Sequence, residues 1–130
     1  MNVLLIDDDS TFRFIAKMIT EKSGILQIIA EADDGESGLE YLRDCVSKKG
    51  ILPDVILLDL NMPRMDGWEF LRQYPEIFRE NQRIPVVVVS SSINREDREK
   101  SETFPCVRGM IAKPLTEADL HEIKALAHPA

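Results

Sequence analysis

Four apolar runs in this chain end on polar side chains able to do chemistry. Val55-Ile56-Leu57-Leu58 runs into Asp59, Val3-Leu4-Leu5-Ile6 into Asp7 and Asp8, the β-branched stretch from Ile84 into Ser90, and Val107 to Ala112 into Lys113. The first three are uncharged and the last carries only Arg108; runs of this kind read as buried parallel strands, and ligands of open α/β sheets gather just beyond the carboxyl ends of such strands. Right-handed crossovers bring all strand ends to one edge, so Asp7, Asp8, Asp59, Ser90 and Lys113 converge although they are far apart in sequence. Three crowded carboxylates repel one another, which raises the pKa of at least one unless a divalent cation sits among them. Mg²⁺ suits such a set, because it takes hard oxygen ligands and is commonly held by one or two carboxylates, waters and phosphate oxygens. Phosphoryl transfer to a carboxylate suits the whole arrangement: cations neutralise charge on the transferring oxygens while the nucleophile attacks in line.

The elements that must position these groups alternate strand and helix five times, the pattern of repeated βαβ units. The first strand, Asn2 to Ile6, leads to a helix from about Ser10 to Lys22, with Ser10 as N-cap, Gly24 as stop, and Phe12, Ile15, Ala16 and Ile19 at i, i+3, i+4, i+7. The second strand spans Leu26 to Glu31. After the turn residues Asp33-Asp34-Gly35 comes a helix with Leu39, Leu42 and Val46 on one face, ended by Lys48-Lys49-Gly50. Pro53 introduces the third strand, ending at Asp59, and a helix starting near Gly67 carries Trp68 and Leu71 and distorts past Pro75. The fourth strand, ending at Ser90, is central or near-central, with Pro85 at its start. A charged helix from Asn94 to about Glu102 precedes the fifth strand at Val107 to Ala112. The last helix opens at Thr116 with Asp119 as an imperfect capping box, and turns Leu120, Ile123 and Ala127 inward.

At 130 residues the chain is expected to be one domain, 1–130, with no output domain attached, and large enough to bury roughly two-thirds of its unfolded surface. The formal net charge of -7 argues against a nucleic-acid groove, which needs clustered Lys and Arg. Cys45 and Cys106 lack His partners at metal-ligand spacing and read as free thiols of a reducing, cytoplasmic setting. No run of apolar residues is long enough for a membrane span, and the N-terminus lacks a signal-peptide pattern.

Taken in order, these strand ends resemble the receiver domain of two-component response regulators over essentially the whole chain. The resemblance implies an α/β fold: a doubly wound, flavodoxin-like (βα)5 sandwich with a five-stranded parallel sheet in the order 2-1-3-4-5. It implies that Asp59 is the phosphoacceptor and that Asp7 and Asp8 bind Mg²⁺ or Mn²⁺, Asp8 the more directly, with Asp59 and the backbone carbonyl of Asn61 completing the metal shell. Ser90 would hydrogen-bond the phosphoryl group, and Lys113, joined to Pro114 by a cis peptide, would pair with one of its oxygens. Pro63 and Gly67 match the family's loop after the acceptor. Asn61 and Ser92 fall where the family tunes phosphoryl lifetime. Two positions depart from the pattern: Met110 stands at the switch position, usually Tyr or Phe, and Ser91 at a position that is often Ala. A thioether has no ring whose rotation could report movement of Ser90.

The function so implied is that of a single-domain regulator which takes a phosphoryl group from the phosphohistidine of a sensor histidine kinase or histidine phosphotransfer protein. It would then present a changed face, made by the fourth helix, fifth strand and fifth helix, to a downstream protein or a second copy of itself. Beyond catalysing its own phosphorylation and slow dephosphorylation it would not be an enzyme. Two alternatives stand beside this. Asp7-Asp8-Asp9-Ser10-Thr11 matches the DxDx[T/V] signature of haloacid-dehalogenase-like phosphohydrolases, in which Asp7 would be the nucleophile, and a third reading is an interaction module that works without phosphorylation.

Overall fold

A computed structural model describes residues 1–48, 50–79 and 82–128. Five parallel strands, β1 (Asn2–Ile6), β2 (Gln27–Ala32), β3 (Val55–Leu58), β4 (Val86–Ser90) and β5 (Val107–Ala112), form one sheet in the order β2-β1-β3-β4-β5. The helices are α1 (Ser10–Ser23), α2 (Gly35–Lys48), α3 (Gly67–Gln73), α4 (Arg95–Ser101) and α5 (Glu117–Ala127). Tyr74–Glu76 forms a 3₁₀ turn after α3, where Pro75 cannot extend the α-helical ladder.

Strand side chains alternate between the faces of the sheet, and both faces are apolar. Val3, Leu5, Val55, Leu57, Val87 and Val89 pack with Phe12 and Ala16 of α1 and Leu120, Ile123 and Ala127 of α5. Leu4, Ile6, Ile56 and Leu58 pack on the other side with Leu39, Leu42, Phe70, Leu71 and Tyr74. The doubly wound sandwich expected from the sequence is therefore the observed one. Tyr74 is fully buried, and its hydroxyl both donates to the Ile84 carbonyl at 2.9 Å and accepts from the Ile84 amide, which satisfies the backbone entering β4.

Several local expectations need correction. Asp9, not Ser10, caps α1: its Oδ1 accepts the amides of Thr11 at 2.9 Å and Phe12 at 3.3 Å. A carboxylate serves that position as well as a hydroxyl does and also complements the helix dipole. Ile15 points outward on α1 with Phe14 and Met18, while Thr20 takes the inward place by bonding the Lys17 carbonyl. On α2, Cys45 rather than Val46 faces the core. The second strand sits one residue later than expected, and β3 ends at Leu58, leaving Asp59 just beyond the ladder. The capping box of α5 is complete, since the Asp119 carboxylate accepts the Thr116 amide as well as a Glu would. The expected stop at Lys48-Lys49-Gly50 includes Lys49, which lies outside the described residues.

Candidate functional site

Strand register sets the site. Ile6 pairs with Leu58, so Asp7 and Asp59 leave the sheet level with each other on neighbouring strands. Leu58 in turn pairs with Val88, which carries Ser90 one residue past the level of Asp59. Ser90 pairs with Ala112, so Lys113 follows directly at the same edge, with its amide bonded to the Ser90 carbonyl at 2.9 Å. The Asp7 amide bonds Ala32 O at 3.0 Å and the Asp59 amide bonds Ile6 O at 2.9 Å, so both backbones are held by the sheet while their side chains are free to meet.

They do meet. Carboxylate oxygens of Asp7, Asp8 and Asp59 all lie within 4.8 Å of one another. Asp7 is 1 % and Asp59 7 % exposed, whereas Asp8 is open to solvent. Lys113 Nζ stands 2.7 Å from Asp7 Oδ2, 3.8 Å from Asp59 Oδ2 and 4.2 Å from the centre of the Phe12 ring. Although the Asp7 contact is a short ion pair, no aligned hydrogen bond reaches that buried oxygen. Burial, followed by the neighbouring charge of Asp7, pushes the Asp59 carboxyl up to about 6, against the opposing pull of Lys113 and the Asn61 amide. The donor set is entirely hard oxygen, and a divalent cation among the three carboxylates would offset the burial and the Asp7 charge that raise Asp59. The residues present therefore suit Mg²⁺ or Mn²⁺.

The remaining expected residues lie around this cluster. Ser90 is fully buried, its Oγ 3.5 Å from both the amide and the carbonyl of Ser92. Asn61 and Pro63 are exposed in the loop after Asp59. Gly67 is buried, and the position takes glycine because a Cβ there would stand 2.5 Å from the Asp59 carbonyl oxygen. The Lys113–Pro114 bond is cis. Met110 is half-buried in β5, paired with Val88. Trp68 is part core and part surface: it stacks on Phe104 at 6.0 Å, and Lys100 of α4 lies 4.5 Å from its ring centre. His121 and His128 are exposed on or after α5 and take no part in the cluster. Asp9, the second carboxylate of the DxDx[T/V] signature, is occupied in capping α1, and the cluster is completed by Asp59 instead.

The supporting roles of three residues are absent from the sequence reading, which placed Phe12 only on the apolar face of the first helix. Phe12 underlies Lys113. Arg13 donates from Nη1 to the Asp7 carbonyl at 2.6 Å and pairs through Nε with Glu31 at 3.2 Å, bracing the loop that carries the acidic pair. Arg64 pairs with Asp34, which the sequence offered only as turn chemistry. None of these contacts has a spacing signature, because each joins side chains from different elements.

Known proteins agree with this geometry. The response regulator receiver domain model matches residues 3–125. A protein-glutamate methylesterase/protein-glutamine glutaminase of Cereibacter sphaeroides is 35 % identical over 95 % of this chain, which spans only 31 % of that relative. The crystal structure of a two-component response regulator from Cytophaga hutchinsonii superposes with a TM-score of 0.87 at 28 % identity, covering 97 % of this chain and 95 % of the other. The Mn²⁺-bound form of response regulator Rcp1 does so at 0.73 and 28 %, covering 97 % and 88 %. Among the described residues no helix is long and apolar enough to cross a membrane. With a family model that takes in nearly the whole chain and an acidic cluster at the expected strand ends, this chain belongs to the response regulator receiver domain family.

Proposed function

We propose that the chain is a phosphorylation switch: Asp59 accepts a phosphoryl group from the phosphohistidine of a sensor histidine kinase or histidine phosphotransfer protein, and the product binds a downstream protein differently. The observation that carries this reading is the meeting of Asp7, Asp8 and Asp59 within 4.8 Å beside Lys113. An Asp59 oxygen attacks phosphorus in line as the bond to the imidazole nitrogen breaks, and with a proton on its other ring nitrogen the imidazole leaves neutral. Asp7, Asp8, Asp59 and the Asn61 carbonyl would hold Mg²⁺ or Mn²⁺, and the Mn²⁺-bound form of Rcp1 supports that assignment by analogy. The cation, when bound, spreads the negative charge gathering on the transferring oxygens. Lys113, set between Asp7 and Asp59, turns its ammonium to a phosphoryl oxygen, and Ser90 donates its hydroxyl to another.

Asn61 and Ser92 border the path of the hydrolytic water and set how long the phosphoryl group lasts. Met110 replaces the usual aromatic switch, so the change is read out by packing of the face formed by α4, β5 and α5, through which a target or a second copy would dock. The chain is a signalling phosphoacceptor whose only catalysis is on itself, and it works in the cytoplasm.

Intact mass after incubation with acetyl phosphate tests the reading. One added phosphate that requires Mg²⁺ and disappears in Asp59→Asn is expected. A phosphate that survives Asp59→Asn but is lost in Asp7→Asn would overturn it in favour of phosphohydrolase chemistry, and no adduct at all, even at short times, would leave an interaction module.

A further inference from the structure

Arg64, in the loop after Asp59, has φ +63°, a backbone region that residues with a side chain rarely adopt. Its guanidinium pairs with Asp34 and lies 3.8 Å from Asp33, both at the corner between β2 and α2. Asp34 is 1 % exposed, and its other oxygen accepts the Ser37 amide at 2.8 Å, capping α2. One residue on, the Gly35 amide donates to the Met65 carbonyl at 3.0 Å, and a Cβ at position 35 would crowd Met65. The ends of the loop are held elsewhere: Asp59 bonds Ile6, Gly67 bonds Leu60, and Asp66 caps α3 by accepting the Glu69 amide. Its middle carries Asn61, three residues before Arg64; the Asn61 amide bonds the Asp59 carboxyl and Met62 and Met65 lean on the core, while Arg64 and the Met65 carbonyl strap the stretch to the β2–α2 corner.

We propose that Arg64 is a positioning residue: its ion pair with buried Asp34, together with the Gly35–Met65 hydrogen bond, holds the loop so that the Asn61 carbonyl faces the acidic cluster. A strained backbone persists only where its surroundings over-determine it, and here the over-determining group is a buried carboxylate already aligned by a helix. The inference rests on the metal-binding reading of Asp7, Asp8 and Asp59.

Arg64→Asn and Asp34→Asn isolate the pair. Asn tolerates the left-handed backbone at position 64, and at position 34 it keeps an oxygen for the Ser37 amide. Mg²⁺ titration by calorimetry on the full chain should show both variants binding roughly tenfold more weakly, with the double variant no weaker than the weaker single. In the metal-free protein, the Gly35 amide should exchange faster with solvent in both variants. Simple charge effects predict opposite signs, since losing Arg64 would tighten cation binding and losing Asp34 would weaken it. Opposite signs, or unchanged Mg²⁺ affinity in both variants, would overturn the proposal while leaving the metal site intact. Absence of Mg²⁺ binding by the parent chain would instead overturn the metal-site reading, and the positioning role with it.

Discussion

Replacing Asp59 by Asn should make the metal-free protein more stable at neutral pH, by an amount that grows as pH rises. The buried Asp59 carboxyl has its pKa raised from 3.8 to about 6, mainly by burial and then by the charge of Asp7. Such a group binds its proton more tightly folded than unfolded. Stability is therefore undiminished below the unfolded value, falls as pH climbs between the two values, and stays low above about 6. A rise of roughly two units corresponds to about 3 kcal/mol, of which about 2 kcal/mol accrues between about pH 4.5 and about pH 7.5. The Asn variant keeps the shape without the charge. Part of the gain is offset because Lys113 loses its 3.8 Å neighbour, although its closer partner Asp7 remains. Urea unfolding of parent and variant with chelator, at both pH values, measures the difference directly. The stability gap should widen by about 2 kcal/mol at the higher pH, and saturating Mg²⁺ should narrow it by stabilising the parent. A gap that is constant with pH, or one favouring the parent, would show that Asp59 ionises in the folded chain at no cost.

Gly67→Ala should destabilise by about 3 kcal/mol in thermal or urea unfolding, because its Cβ would press on the backbone of Asp59 and Leu60; a loss under about 1 kcal/mol would mean the loop yields freely. Tyr74→Phe strips the buried Ile84 amide and carbonyl of their partner, at about 1 to 3 kcal/mol, and the Ile84 amide should exchange faster. Phe12→Leu removes the ring beneath Lys113, and a double-mutant cycle with Lys113→Met should return a coupling of about 1 kcal/mol. Equal losses in both backgrounds would refute that contact.

The topology was legible because the inner strands β1, β3 and β4 are almost wholly apolar, with β2 and β5 interrupted by Gln27, Glu31 and Arg108, and because residues of complementary chemistry follow those runs in chain order. Asp7, Asp59, Ser90 and Lys113 were named from that pattern, and strand register alone brings them to one edge. Helix faces were read less well. Ile15 and Val46 satisfy the apolar spacing yet point outward, since periodicity defines a stripe but not which shoulder of it the sheet covers. Arg64 stayed illegible for a different reason. Its partner lies on another loop, and a left-handed arginine has no sequence signal as a glycine would.

The stack of Trp68, Phe104 and Lys100 gives the molecule an internal optical gauge. Trp68 is the chain's single tryptophan, and it belongs to α3, while the ammonium over its face belongs to α4. Emission from this one indole therefore reports the separation of two neighbouring helices, without a label and without background from elsewhere in the chain. A displacement of α4 by an ångström or two would take the lysine off the ring, so that the colour of one side chain would track the posture of the helix on which signalling is expected to converge.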